Sequence, residues 1–276
     1  MNYKERQEII AKSPISSSYL KKFNIGAGTL QLINGLIMLA LTFALTWPSG
    51  TDLYTFYLTF AHVSPTIPAI FGAPNPQVLF TISNLGALLA AFPLISAIAH
   101  FTIAFPKNKA YNENLKKGMN PYRWYEYALS SSIMIWVIAT FVGIWDFWSL
   151  AMIFVLNAMM IMFGYLMELV NQKTEKTNWS SFILGCISGG FPWVVLFAYF
   201  GGAVVSSEGS VPNFVYVIFA VYLVLFMSFA VNQVLQYKGV GKWKDYLYGE
   251  RMYIVLSFVA KTLLVWLVFA GLFNPF

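Results

Sequence analysis

Residues 253–269 read Tyr253-Ile-Val-Leu-Ser257-Phe-Val-Ala-Lys261-Thr-Leu-Leu-Val-Trp266-Leu-Val-Phe269. With its flanks this apolar run is long enough to cross a bilayer, which takes about 20 residues in a helix. A lysine stands in its middle. Arg251 marks one end of the run, and at about 1.5 Å per residue Lys261 lies ~15 Å further in, near the centre of a ~30 Å hydrocarbon core. An ammonium there costs at least about 2.5–3.5 kcal/mol. Lys261 therefore needs a partner, or neutrality, or covalent modification. Ser257 lies one helical turn before it on the same face and can donate or accept a hydrogen bond. A hydrolytic Ser–Lys dyad would also need an activated serine and an oxyanion hole, and no other part of the sequence offers them.

Six further stretches resemble this one in length and composition. The seven apolar spans are expected at 26–47, 78–105, 122–145, 148–170, 180–204, 212–237 and 250–273. The whole chain of 276 residues is 58% hydrophobic and 10% charged, with a mean hydropathy of +0.65. A soluble domain carries about 25% charge, so a soluble enzyme, a disordered tail and a nucleic-acid binder are excluded together. The fold class expected is an all-α membrane protein, a bundle of seven transmembrane helices. The net charge of +6 and pI of 9.2 reflect short basic connectors rather than a DNA-binding face. Sixteen of the 17 basic residues fall at or between spans on one side, in the N-terminal segment and in the connectors after spans two, four and six. The opposite connectors carry only Asp52, Asp146 and Glu208. Positive residues stay cytoplasmic, so the N-terminus is expected inside, the C-terminus outside, and the location in the plasma membrane. Residues 1–22 read as a polar cytoplasmic segment and 23–276 as the helical domain, with the first span retained rather than cleaved.

Residues 48–77 form a long outer connector with five prolines and a β-rich centre at Leu53–Phe60, expected to fold as a short hairpin. One cysteine, Cys186, excludes a disulfide framework and a thiolate metal site. Two histidines, His62 and His100, give little support for zinc, and no metal site is expected. The best partner for Lys261 is Glu126, in Pro121-Tyr-Arg-Trp-Tyr-Glu126-Tyr-Ala-Leu-Ser130. Helical spacing puts Arg123, Glu126 and Ser130 on one face of span three. Glu168, at the inner end of span four, is expected to pair at the interface with Lys173 or Lys176.

Seven helices with a lysine midway along the last and a carboxylate on the third resemble a microbial-type rhodopsin. The match is closest to heliorhodopsin. It rests on Asn120-Pro-Tyr-Arg-Trp-Tyr-Glu126-Tyr with Ser130-Ser-Ser, on Gly249-Glu-Arg-Met-Tyr-Ile-Val-Leu-Ser257-Phe-Val-Ala-Lys261 and on Phe163-Gly-Tyr-Leu-Met-Glu168. Gly185-Cys-Ile with Pro192-Trp193 and Leu235-Gln-Tyr-Lys-Gly-Val-Gly-Lys-Trp extend it, from about residue 23 to the end. The resemblance implies all-trans-retinal bound to Lys261 as a Schiff base, Glu126 as its counterion, Ser257 as a hydrogen-bond partner and Ser130 as a modulator. It implies a polar cluster of Ser96 and His100. The family's second histidine, on helix one, is matched here by Gln31, with Asn34 nearby. It also implies a pocket that includes Trp136, Asn157, Met160, Pro192, Trp193, Phe226 and Trp266, an inside N-terminus and a homodimer.

The function this implies is light sensing without enzymatic activity. An outward pump usually carries a second acid four residues before the lysine, where this chain has Ser257, and every outer acid lies in a connector. A slow photocycle with little or no transport is expected. The competing reading is a light-driven or retinal-free proton or ion transporter built on the Glu126–Lys261 pair. A structural scaffold is a third, disfavoured by the intact lysine. The partners expected are lipid, retinal and a second copy of the chain. The basic inner face suits anionic lipid or an unknown signalling partner, or serves topology alone.

Overall fold

The structure is a computed structural model that describes residues 3–47, 50–59, 73–208 and 211–273. Among them are nine α-helices, one turn of 3-10 helix and a two-stranded antiparallel sheet. The helices are α1 (Tyr3–Ala11), α2 (Ser17–Ala44), α3 (Leu85–Ala104), α4 (Asn108–Lys116), α5 (Pro121–Phe141), α6 (Phe147–Val170), α7 (Ser180–Ser206), α8 (Asn213–Lys238) and α9 (Tyr246–Phe273). Six of them, α2, α3, α6, α7, α8 and α9, are long and apolar enough to cross a membrane. The 21-residue α5 is less apolar because its first two turns hold Arg123, Glu126 and three tyrosines. It packs between α3 and α6, and α9 returns against α2 and α3.

Polar side chains start these helices. A helix leaves its first N–H groups unpaired, and a capping oxygen satisfies one of them. Ser16, Asn84, Asn120 and Asp146 accept from Tyr19, Gly86, Arg123 and Ser149, and Pro121 occupies the first turn of α5, where its missing N–H costs nothing. At the far end of α8, Gly239 takes φ 65°, the left-handed conformation that suits glycine at a helix stop.

The pattern of burial is that of a protein in lipid. Phe43, Ile98, Val205 and Val224 face outward, while Gln31, Ser96, Asn157 and Lys261 are inside. Polar groups in a membrane protein turn to the bundle interior because hydrocarbon offers them no partners. An apolar core around Phe92, Ile135, Leu150, Leu196 and Leu264 fills one half of the bundle.

Several expectations change in detail. The second span does not begin at 78. Residues 78–82 belong to β2 (Ala73–Ile82), which pairs antiparallel with β1 (Thr51–Thr59), and the cap at Asn84 starts the helix at Leu85. An apolar run signals burial but does not separate strand from helix. The hairpin is therefore present. The residues between the strands, with Phe60, His62, Pro65 and Pro68, lie outside the described residues. Tyr54 N donates to Trp145 O at 2.8 Å, and Trp148 Nε1 to Thr55 Oγ1 at 3.1 Å, which pins the hairpin over the α5–α6 connection. At the opposite end, α1 and α4 contact one another and form a cap that charge-rich sequence did not suggest. Helix α2 starts at Ser17 and ends at Ala44, earlier at both ends than the expected first span at 26–47.

Candidate functional site

Helix α9 delivers Lys261 to the interior, 3% exposed. Its Nζ donates to Glu126 Oε1 on α5 at 2.7 Å and to Ser257 Oγ, one turn earlier on α9, at 2.7 Å. Ser96 on α3 donates to the same Glu126 oxygen at 2.6 Å. Three helices thus meet at one ammonium–carboxylate pair. The face of the Tyr127 ring lies 5.0 Å from Nζ, within cation–π range, and its hydroxyl is tied to Tyr253 O at 2.8 Å. Ser130 stands one turn from Glu126 and is fully buried.

The pair borders empty space. A cavity of about 190 Å³ opens beside Lys261, Ser257 and Ser130 and runs between α5, α6, α7 and α8. Its walls are mostly apolar: Met134, Met160, Tyr222, Phe226 and Ala260 line it. Glycines thin the wall on α7. A Cβ at Gly189 would run into the Met160 side chain, whereas one at Gly190 would meet nothing within 4 Å. A slot with apolar walls and one amine on its side is the shape a polyene aldehyde requires. The residues present fit retinal.

The other expected residues divide into three groups. Met160 and Phe226 line the cavity. Trp193 lies behind Phe226, with ring centroids 5.3 Å apart, and its buried indole N–H has no partner among the described residues. Asn157 is a step back as well: its amide donates to Ser131 at 2.8 Å and to Ser132 at 2.9 Å, and Ser131 is the one at the wall. Pro192 is buried inside α7, and Trp136 is half-buried against the apolar core. Trp266 does not reach the cavity. Its indole donates to Asn34 at 3.3 Å, and Asn34 donates to Thr262 at 3.0 Å, so these two residues join α2 to α9. His100 accompanies Asn24 rather than the pair, with Nδ1 2.8 Å from Asn24 Oδ1. Gln31 is fully buried, and neither its amide nitrogen nor its oxygen has a partner among the described residues.

One expectation is overturned by a second ionic cluster. Glu168 is 0% exposed and does not pair with Lys173 or Lys176. It accepts from Arg123 at 2.6 Å, Trp124 at 2.7 Å, the Asn120 backbone at 2.9 Å and Tyr246 at 3.0 Å. Arg123 turns away from Glu126 to bridge Glu168 and Glu250, and the Tyr253 ring lies 4.0 Å from its guanidinium carbon. The physical reason is burial. The two terminal nitrogens of the buried guanidinium reach one carboxylate each, where one exposed lysine would leave a buried Glu168 under-paired. Glu250 was missed because it adjoins Arg251 and reads as part of a charged connector. Spacing held the signal: Glu250, Ile254, Ser257 and Lys261 follow one face of α9. Tyr127 and Tyr253 had no signal of their own among 16 tyrosines.

A buried lysine held by a carboxylate at the wall of an apolar slot, within a helical membrane fold, defines a rhodopsin-type protein. The comparisons make the family particular. The family model Heliorhodopsin matches residues 20–273, and the chain belongs to the heliorhodopsin family. Comparison with curated proteins finds no match. Membership makes the chain a multi-pass membrane protein and implies retinal as its chromophore.

Proposed function

We propose that this chain is a light sensor in which Lys261 holds all-trans-retinal as a protonated Schiff base and Glu126 is the counterion. The observation that carries the reading is the placement of Lys261 Nζ, 2.7 Å from both Glu126 and Ser257, on the wall of an apolar cavity. When bound, retinal supplies visible absorption and a light-driven change of shape. The chain's own residues do the rest. Glu126 balances the positive charge on the Lys261 nitrogen, and Ser96 and Ser257 hold the two in register. Tyr127 presents its ring face to the same charge. Met160 and Phe226 would flank the polyene, with Trp193 packed behind Phe226. Ser131, Ser132 and Asn157 form a polar edge on one side of it, and Ser130 stands beside the counterion.

Seven spans are proposed, with α5 as the third, an inside N-terminus set by the basic connectors, and the α1–α4 cap at the cytoplasmic end. A plasma-membrane homodimer is proposed with it. Little or no transport accompanies the sensing role. Beyond Glu126 the paired carboxylates Glu168 and Glu250 lie at the α1–α4 end, and the hairpin end carries acids only in its connectors. The test is reconstitution with retinal in liposomes. A visible band with no sustained light-driven change in external pH supports the reading. A steady light-driven current overturns the sensing role in favour of transport.

A further inference from the structure

A line of buried polar groups begins at His100, one helical turn along α3 from the serine that donates to Glu126. Ser96, which donates to Glu126, and His100 lie one turn apart on one face of α3. His100 Nδ1 meets Asn24 Oδ1 at 2.8 Å. Asn24 Nδ2 donates to Leu20 O at 2.8 Å. A carbonyl only accepts, so that bond fixes the amide, puts Oδ1 toward the imidazole and puts the hydrogen on Nδ1. Asn24 Nδ2 also reaches the Tyr111 hydroxyl at 3.4 Å, and Tyr111 donates to Glu250 Oε1 at 3.2 Å. Every bond from His100 to Glu250 donates in the same direction. Tyr111 belongs to α4, outside the spans, and is 1% exposed. Burial pushes its phenol up to about 12, so it remains a donor at physiological pH. Beyond Glu250 the line joins Arg123 and Glu168.

We propose that Tyr111 couples the charge state of the Glu126–Lys261 site to the α1–α4 cap through the one-way line His100–Asn24–Tyr111–Glu250. Bonds with a charged donor are about twice as strong as neutral ones, and bonds aligned head to tail polarise one another. A change of charge at either end therefore alters the hold on Tyr111 in the middle. The nine-residue α4 buries Tyr111 and Leu115, so it has few other anchors. The charged groups around the line are Glu126, Arg123, Glu168, Glu250 and Lys261. Gln31 lies one turn along α2 from the glycine that lies against His100. This inference extends the retinal reading, because light supplies the change of charge, but the line itself is testable without chromophore.

The chain has two histidines, so labelling histidine with 15N gives two ring systems, with His62 as the internal reference. In the full chain reconstituted in bilayers, solid-state NMR is expected to show Nδ1 of His100 protonated. Tyr111→Phe keeps the ring and deletes the hydroxyl. It is expected to move the His100 ring signals and leave those of His62 in place. Leu115→Ala loosens α4 without touching the line and is expected to move neither. Unmoved His100 signals in Tyr111→Phe, or an equal shift in Leu115→Ala, overturn the line. In retinal-loaded protein, light is expected to speed amide exchange in α4, and Tyr111→Phe to abolish that difference at unchanged colour. A coloured wild type with no light-dependent exchange in α4 overturns the coupling. A colourless wild type counts against the retinal reading, and the NMR result still decides the line.

Discussion

Two ionic clusters sit in one bundle and use the same chemistry to different ends. Arg123, Glu168 and Glu250 are enclosed on all sides; four donors saturate Glu168 and three reach Glu250. Glu126 and Lys261 are almost as buried, with 7% and 3% of their side chains exposed, but Lys261 borders a cavity. The first cluster has no room for a reaction partner. The second has an amine with space beside it. Buried charge alone therefore does not mark a site in this molecule; the marker is a buried charge with an unfilled neighbour.

The comparison is tested most severely by Arg123→Leu. It leaves two carboxylates buried without a cation, a loss expected to cost about 3–5 kcal/mol and to lower the melting temperature steeply in a thermal scan. An equally folded variant would show that the cluster is not what ties α5, α6 and α9 together. Glu126→Gln is the matched change at the other cluster. Here the expected effect is on colour: removing the counterion moves the retinal band to longer wavelength wherever the nitrogen keeps its proton. An unmoved band would take the counterion role from Glu126. Gly189→Ala comes next. Its methyl displaces Met160 into the cavity, so retinal uptake after addition to the apoprotein is expected to slow or stop, at a stability cost of about 1–3 kcal/mol; full, normally paced uptake would place the polyene elsewhere. The smallest effect belongs to Thr262→Val, which removes one hydrogen bond to Asn34. About 0.5–1.5 kcal/mol of stability is the expected loss, with colour unchanged, and a colour shift would bring the Asn34–Trp266 contact into the site.

The sequence was most legible where physics leaves few choices. A lysine at the centre of an apolar helix must be compensated, and Glu126 on α5 is what compensates it. The hairpin at Thr51–Ile82 was visible for the same kind of reason. What was not visible required contacts between segments distant in sequence. Val78–Ile82 reads as the start of a helix until its strand partner at Thr51–Thr59 is known. Glu168 reads as interfacial until Arg123 is seen across from it. Trp266 and Met160 are both apolar positions on spanning helices, and only packing puts one against Asn34 and the other on the cavity. The α1–α4 cap is a polar stretch held by Ile10, Tyr111 and Leu115, too few apolar residues to stand out by periodicity.

The central claim is that Lys261 carries the chromophore, and a visible spectrum addresses it most directly. The full chain is expressed with and without all-trans-retinal, alongside Lys261→Ala treated in the same way. The account predicts a visible band that requires both retinal and Lys261, with the variant colourless and still folded. A band of the same position and strength in folded Lys261→Ala, or a colourless wild type after retinal addition, would contradict it.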